Sequence, residues 1–250
     1  MTVLTYKNQN HTNKNESEVI YLEVKIEVWG DFACFSPPYS KVERLTYPFI
    51  TPSAARGLLS AIYSKPKEFY WQITRIEVLS PIRYLSIKRN EVKAKVNVRA
   101  KAKAKSNVNE NVSYTPILTE EGHTQRQTAV LQDVRYRISA EIVPQKDYKG
   151  SLKQLYEQAF RRIRGGKCYY QPNLGMSEFV AYFEESDGIR QPIPVNLDAG
   201  WMVYDIFDLK DSRVQTRTKT NLTLFHAVMN YGIIEIPPYD SRKVVKGAEA

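Results

Sequence analysis

Between Tyr21 and Pro66 a strand, a loop and a helix follow one another, and this stretch limits the chain to folds assembled from β-α units. Leu22, Val24, Ile26 and Val28 alternate with Glu23, Lys25 and Glu27, the period-two pattern of a strand with one face buried. Trp29-Gly30-Asp31 breaks the alternation, and a loop containing prolines and tyrosines follows. Thr51-Pro52 supplies a hydroxyl N-cap and a proline at the first turn. The helix that they start carries Leu58, Leu59 and Ile62 on one side and stops before Lys65-Pro66.

The pattern then recurs. Phe69 to Leu79 reads as a second strand, rich in aromatic and β-branched residues, and Thr128 to Val143 as a third. Ser151 to Arg164 is the clearest helix, with Leu152, Leu155, Tyr156, Ala159 and Ile163 on one apolar stripe and Gly165-Gly166 as its stop. A fourth strand is expected around Phe179 to Phe183. The order predicts an α+β chain whose residues 21–187 form a ferredoxin-like βαββαβ domain, the arrangement used by RNA-recognition motifs, interrupted by a basic β-arm insertion at about 83–122. Residues 188–237 read as a smaller β-rich domain, with strands Trp201–Leu209 and Gly232–Ile236 around a polar loop at 210–221. The polar, Asn-rich residues 1–20 read as a disordered leader, and 238–250 as a mobile tail.

Charge narrows the function. The chain carries a net +9, and nine Lys and Arg against the one acid Glu91 fall between Arg83 and Lys105. An excess concentrated in this way fits a polyanion, most simply nucleic acid, although a solvated basic loop has the same composition. From Val92 to Lys105 small apolar residues occupy the even positions, and Lys93, Lys95, Arg99, Lys101, Lys103 and Lys105 fall on odd ones. An extended backbone puts these cations on one face, whereas a helix would spread them around its cylinder.

The two cysteines, Cys34 and Cys168, make neither a disulfide framework nor a metal cluster, and favour a reducing, cytoplasmic setting. Three scattered histidines offer no metal-ligand spacing, and no apolar run is long enough to span a bilayer, so neither a metal, a cofactor nor a membrane is expected. The paired acids Glu120-Glu121 and Glu184-Glu185 read as solvated loop pairs, and His123 as a surface histidine. Phe32, Phe35 and Tyr39 lie near Lys41 and Arg44, and Tyr169 and Tyr170 follow Lys167; aromatic faces that stack on bases beside cations that hold phosphates suit single-stranded RNA, although some of these rings belong to a core.

The stretch VWGDFACFSPPYSKVERLTYPFITPSAARGLLSAIYSKP resembles the amino-terminal signature of the fifth CRISPR-associated (Cas) protein family, most closely its subtype I-C branch. KRNEVKAK at 88–95, TQRQTAVLQDVRYRI at 124–138 and GGKCYYQPNLGMSEF at 165–179 agree with it, so the likeness covers about residues 20–235. The resemblance implies a subunit of the Cascade interference complex that grips the 5′ handle of CRISPR RNA and contacts the backbone and large subunits, and target DNA near its PAM end. It also implies an endoribonuclease that cuts precursor transcripts without a metal, by attack of the RNA's own 2′-OH. Cutting members resemble one another in a Tyr at the end of the first helix and a Lys-His pair at the start of the second. Tyr63 occupies the first position, where it also suits a core aromatic; Gln154 and Leu155 fall at the pair, with Lys153 one residue early. The resemblance thus nominates Tyr63 and Lys153 as catalytic. Lys41, Arg44, Arg56, Lys88, Arg89, Arg126, Arg161, Arg162, Lys167 and Tyr169 join the arm cations as RNA-binding candidates. A non-catalytic subunit that caps the handle is the other reading.

Each arm cation on a phosphate releases a counterion, so reversing Lys101, Lys103 and Lys105 to Glu should weaken RNA binding and flatten its salt dependence. An unchanged slope of affinity against salt concentration would remove the arm from the interface.

Overall fold

The computed structural model describes residues 23–40, 43–92, 122–211 and 221–247. The expected leader, Lys41 and the arm cations from Lys93 to Lys105 lie outside them.

The structure is α+β, dominated by one antiparallel sheet. In chain order the elements are β1 (Glu23–Ala33), α1 (Pro52–Ile62), β2 (Phe69–Val78), β3 (Tyr84–Val92), β4 (His123–Pro144), α2 (Leu152–Arg164), β5 (Tyr182–Glu185), β6 (Leu197–Asp205), β7 (Thr223–Asn230), β8 (Ile233–Glu235) and β9 (Val244–Lys246). The sheet runs β5-β1-β4-β2-β8-β7-β6, with β3 paired to β4 and β9 to β7. Thr51 caps α1 as expected, its side chain accepting the Ala54 N–H. The apolar stripes of both helices join the strand residues Val24, Ile26, Val28, Ile138 and Ile76 in one core cluster.

β4 organises the sheet. Its first half pairs with β3, from Tyr84↔Leu131 to Val92↔His123, and its second half lies between β1 and β2. Asp133 takes a left-handed φ of 52° between the β3-paired and β2-paired stretches. In the centre, Arg137 stands opposite both Glu27 of β1 and Glu77 of β2. All three are buried, and Arg137 donates to Glu27 at 2.9 Å and Glu77 at 2.6 Å. Its remaining contacts, Ser186 Oγ and the Arg190 carbonyl at 2.8 Å each, come from the segment after β5.

Several expectations shift. The fourth strand begins later than Phe179, at Tyr182, because Phe179 is buried in a loop that turns back on β1 through Cys34 N–H to Leu174 O. Gly175 permits that approach: it has φ +90°, and a Cβ there would sit 1.9 Å from the Cys34 carbonyl oxygen. The start of the basic insertion is the strand β3. The C-terminal strands number four among the described residues, and β8 joins them to β2 in the same sheet. Residues 238–247 are packed rather than a free tail, since Tyr239 and Val244 are buried and β9 pairs with β7. No helix among the described residues is long and apolar enough to cross a membrane.

Replacing Arg137 by Met leaves Glu77 buried without a cation. The expected cost is about 3–5 kcal/mol in urea denaturation; an unchanged midpoint would mean that the central charge row is not holding the sheet.

Candidate functional site

The C-terminal end of α1 meets α2 at a cleft of about 580 Å³ lined by Tyr63, Lys65, Glu68, Tyr148, Gln154, Leu155, Glu157, Gln158 and Arg161. The α2 members follow helical spacing: positions 154, 158 and 161 fall on one face two turns long. Leu155 forms an apolar wall, being 2% exposed. Tyr63 ends α1, and its ring packs on Phe69 with centroids 5.3 Å apart.

Donors from outside fix that helix end. The carbonyls of Ala61, Ile62 and Tyr63 accept from Tyr169 N–H, Arg162 Nε and Trp71 Nε1, each at 2.7 Å. These groups would otherwise be orphaned at a helix C-terminus. The Arg162 guanidinium also lies over the Tyr169 ring, 4.0 Å from its centroid.

Tyr63 is 1% exposed, and among the described residues nothing hydrogen-bonds its hydroxyl. Burial pushes this phenol above its ordinary range, and the nearby Lys65 charge pulls part of the way back. Tyr63 is therefore a neutral O–H at physiological pH. Lys65 is committed to Glu68, with both carboxylate oxygens at 3.0 Å. Arg161 has a different partner, donating to Gln158 Oε1 at 2.6 Å.

The candidates divide into groups. Tyr63 and Arg161 line the cleft, with Arg162 and Tyr169 against the α1 end that carries Tyr63. Lys167 is exposed in the same turn, its backbone N–H on the Arg162 carbonyl. Lys153 does not line the cleft: it is 80% exposed and faces Glu157 at 4.0 Å, whereas its neighbours Gln154 and Leu155 are in the lining. A second group sits on the β3–β4 hairpin. There Arg44 and Arg126 share Glu91 at 3.2 Å each, Arg89 pairs with Glu178, and Lys88 is exposed. Arg56 belongs to neither: it holds Asp205 of β6 through two hydrogen bonds, a partly buried tie between α1 and the C-terminal strands. His123 does not approach the cleft. It lies at the far end of β4 from Pro144, about 70 Å along the strand at ~3.3 Å per residue.

Sequence reasoning did not single out Lys65, Glu68, Tyr148, Glu157 or Gln158. Glu157 and Gln158 were within reach of helical spacing from Gln154; the other three enter from turns whose geometry only the fold supplies.

Comparison with known proteins places this geometry. The family described as CRISPR-associated protein (Cas_Cas5) matches residues 23–237. A CRISPR pre-crRNA endoribonuclease Cas5d from Mannheimia succiniciproducens is 37% identical over 231 residues, covering 88% of this chain and 97% of the relative. Its counterpart of the same name in Thermus thermophilus is 35% identical over 225 residues, covering 86% and 91%. Among solved structures, the fold is similar to that of a CRISPR-associated protein, with a TM-score of 0.61 at 20% identity over 90% of this chain and 97% of the other. A functionally uncharacterized Streptococcus mutans protein has a TM-score of 0.59 at 18% identity with the same coverage.

Tyr63→Phe should leave stability within about 0.5 kcal/mol, since the hydroxyl has no described partner. Tyr63→Ala should cost about 3–5 kcal/mol through the cavity left beside Phe69. Thermal denaturation of both variants checks this, and a destabilised Phe variant would show that the hydroxyl is structural.

Proposed function

This chain belongs to the Cas5 family of CRISPR-associated proteins, and on that premise we propose that it binds repeat RNA as a Cascade subunit and cleaves precursor CRISPR RNA at the α1–α2 cleft. The observation that carries the reading is that Tyr63 and positions 154 and 155 line one cleft, in a chain matched along nearly the whole length of relatives named pre-crRNA endoribonucleases. The strand order β5-β1-β4-β2, with α1 and α2 as its crossovers, fits a ferredoxin-like core over residues 21–187; 188–237 then form a smaller β unit hydrogen-bonded to it.

In this reaction the RNA's 2′-oxygen attacks the adjacent phosphorus while the bond from phosphorus to the 5′-oxygen breaks. The products are a 2′,3′-cyclic phosphate and a 5′-hydroxyl. One proton must leave the 2′-OH and one must reach the 5′-oxygen. Tyr63, held neutral by burial, serves as the donor to the leaving oxygen. Gln154 offers a neutral hydrogen bond from the opposite wall. No histidine lines the cleft among the described residues, and its two carboxylates, Glu68 and Glu157, face Lys65 and Lys153, so the 2′-OH proton passes to water or hydroxide. Lys153, outside the lining, contributes its field to drawing RNA toward the cleft. The Arg44–Lys88–Arg89–Arg126 surface and the arm beyond it extend the RNA-binding face.

A second reading has its own support. Leu155 can transfer no proton, and Tyr63 is almost wholly covered, as suits a non-catalytic subunit that caps the 5′ handle.

The two separate on labelled repeat RNA in EDTA. Cleavage to a 2′,3′-cyclic end is expected, slowed roughly 100-fold or more by Tyr63→Phe with RNA binding retained. Intact RNA at micromolar protein, with binding preserved, would establish the capping reading instead. The raised phenol pKa means the donor form persists below pH 10 and is lost only above it, so Tyr63 titration should cause no fall in rate between pH 6 and 9. With hydroxide taking the proton, the single-turnover rate should rise about tenfold per pH unit across that range; a plateau above pH 7 would place a histidine base in the site.

A further inference from the structure

We propose that Arg161 is the cation that seats the scissile phosphate, the position for which the family resemblance nominated Lys153. The inference deepens the cleavage reading and rests on it for the word scissile, but the contact between Arg161 and a single RNA phosphate stands apart from whether the bond is cut.

Three observations carry it. First, the cations lining the cleft are Lys65 and Arg161, and Lys65 is neutralised by Glu68 through both carboxylate oxygens. Arg161 makes no ion pair among the described residues, although Glu157 lines the same cleft one turn back; the one described hydrogen bond of its guanidinium is to the neutral Gln158, which orients it. Second, the other cations of α2 are committed or lie outside the cleft. Arg162 gives its Nε to the Ile62 carbonyl and its face to Tyr169, Arg164 is paired with Glu185, and Lys153 stands outside the lining beside Glu157. Third, the geometry is right. Side chains on a helix lean toward its N-terminus, so Arg161 reaches back over the preceding turn, as its bond to Gln158 shows, toward Gln154 and the wall that holds Tyr63. A guanidinium offers a planar fork of donors that matches two phosphate oxygens at once, which an ammonium does not. Arg161 would therefore hold the non-bridging oxygens while charge accumulates on them, with the Tyr63 hydroxyl beside the leaving oxygen.

The test uses the full chain and repeat RNAs carrying a 2′-deoxy nucleotide at the linkage studied, so that no cutting occurs. A neutral methylphosphonate replaces each phosphate in turn, and Kd is measured for wild type, Arg161→Ala, Arg161→Lys, Lys153→Ala and the surface control Lys25→Ala. One linkage is expected at which neutralisation weakens wild type and Lys25→Ala about tenfold, Arg161→Lys less, and Arg161→Ala within twofold of no effect. If no linkage distinguishes Arg161→Ala from wild type, or if Lys153→Ala abolishes the sensitivity instead, the assignment is wrong. On cleavable RNA in EDTA, Arg161→Ala should slow single-turnover cutting by roughly 100-fold or more. A wild type that binds and never cuts overturns the cleavage reading alone, because the linkage scan still decides whether Arg161 holds a phosphate.

Discussion

The row Glu27–Arg137–Glu77 sets the register of the three central strands, and the rest of the molecule is built around that alignment. The residues are directly opposite one another across β1, β4 and β2, and one position along lies the apolar row Ile26–Ile138–Ile76. Because strand side chains alternate, a slip by one residue would exchange the two rows and bury charges among the helices. An ion pair this deep is not a net source of stability, since desolvation consumes most of the attraction. Its effect is to make the wrong registers worse. Once the register is set, Phe69 stands opposite Pro144, which brings the end of α1 and the approach to α2 to the same edge of the sheet. The cleft is where those two ends meet.

The α1 terminus shows how fold and site share residues. Arg162 and Tyr169 were nominated by composition as nucleic-acid contacts, yet each closes a carbonyl of α1. The two roles are compatible in space. Tyr169 gives its backbone N–H to the helix and the residue stays 55% exposed, with Arg162 over one side of the ring. A base that stacked on the open side would press on the same latch that positions Tyr63. In the proposed reaction this would link RNA contact to the placement of the Tyr63 hydroxyl, without a moving part beyond one turn of chain. Arg56 is the contrary case: a cation in a family signature whose charge is spent inside the protein, on Asp205.

What the sequence revealed follows from where contrast exists. β1 and α2 were legible because one face is apolar and the other charged, so the period stands out. β7 was not: Leu224 and Val228 lie on the outward face while Phe225, Ala227 and Met229 are buried, and with apolar residues on both faces no period appears. β3 was read only as the start of a basic β-arm, since Leu85 and Ile87 are too few beside Lys88 and Arg89 to mark its bounds. Tyr239 and Val244 sit singly in polar surroundings, and isolated residues carry no periodicity to report their burial. In the site, Tyr63 and positions 154–155 were found by resemblance, whereas the orientation of Lys153 required the phase of α2. One residue along a helix is a rotation of about 100°, enough to carry a side chain out of the cleft.

That rotation bears on what kind of chemistry the cleft can support. Its lining offers two phenols, two amides, a guanidinium, the Lys65–Glu68 pair and the Glu157 carboxylate, with no histidine among the described residues. Such a set can hold and orient an anion and can stabilise negative charge as it grows, but it cannot pass a proton back and forth as a histidine does. Preorganised electrostatics without a proton shuttle suits a reaction in which the nucleophile is already positioned by its own substrate, as a ribose 2′-OH is beside its phosphate. Proximity then supplies much of the rate enhancement, and the protein has only to align the chain and bear the charge. A site of this kind turns over slowly. For a subunit that remains bound to the RNA end it creates, one cut per protein is all that the proposed reaction requires, so Leu155 is tolerable where a faster enzyme would need an imidazole.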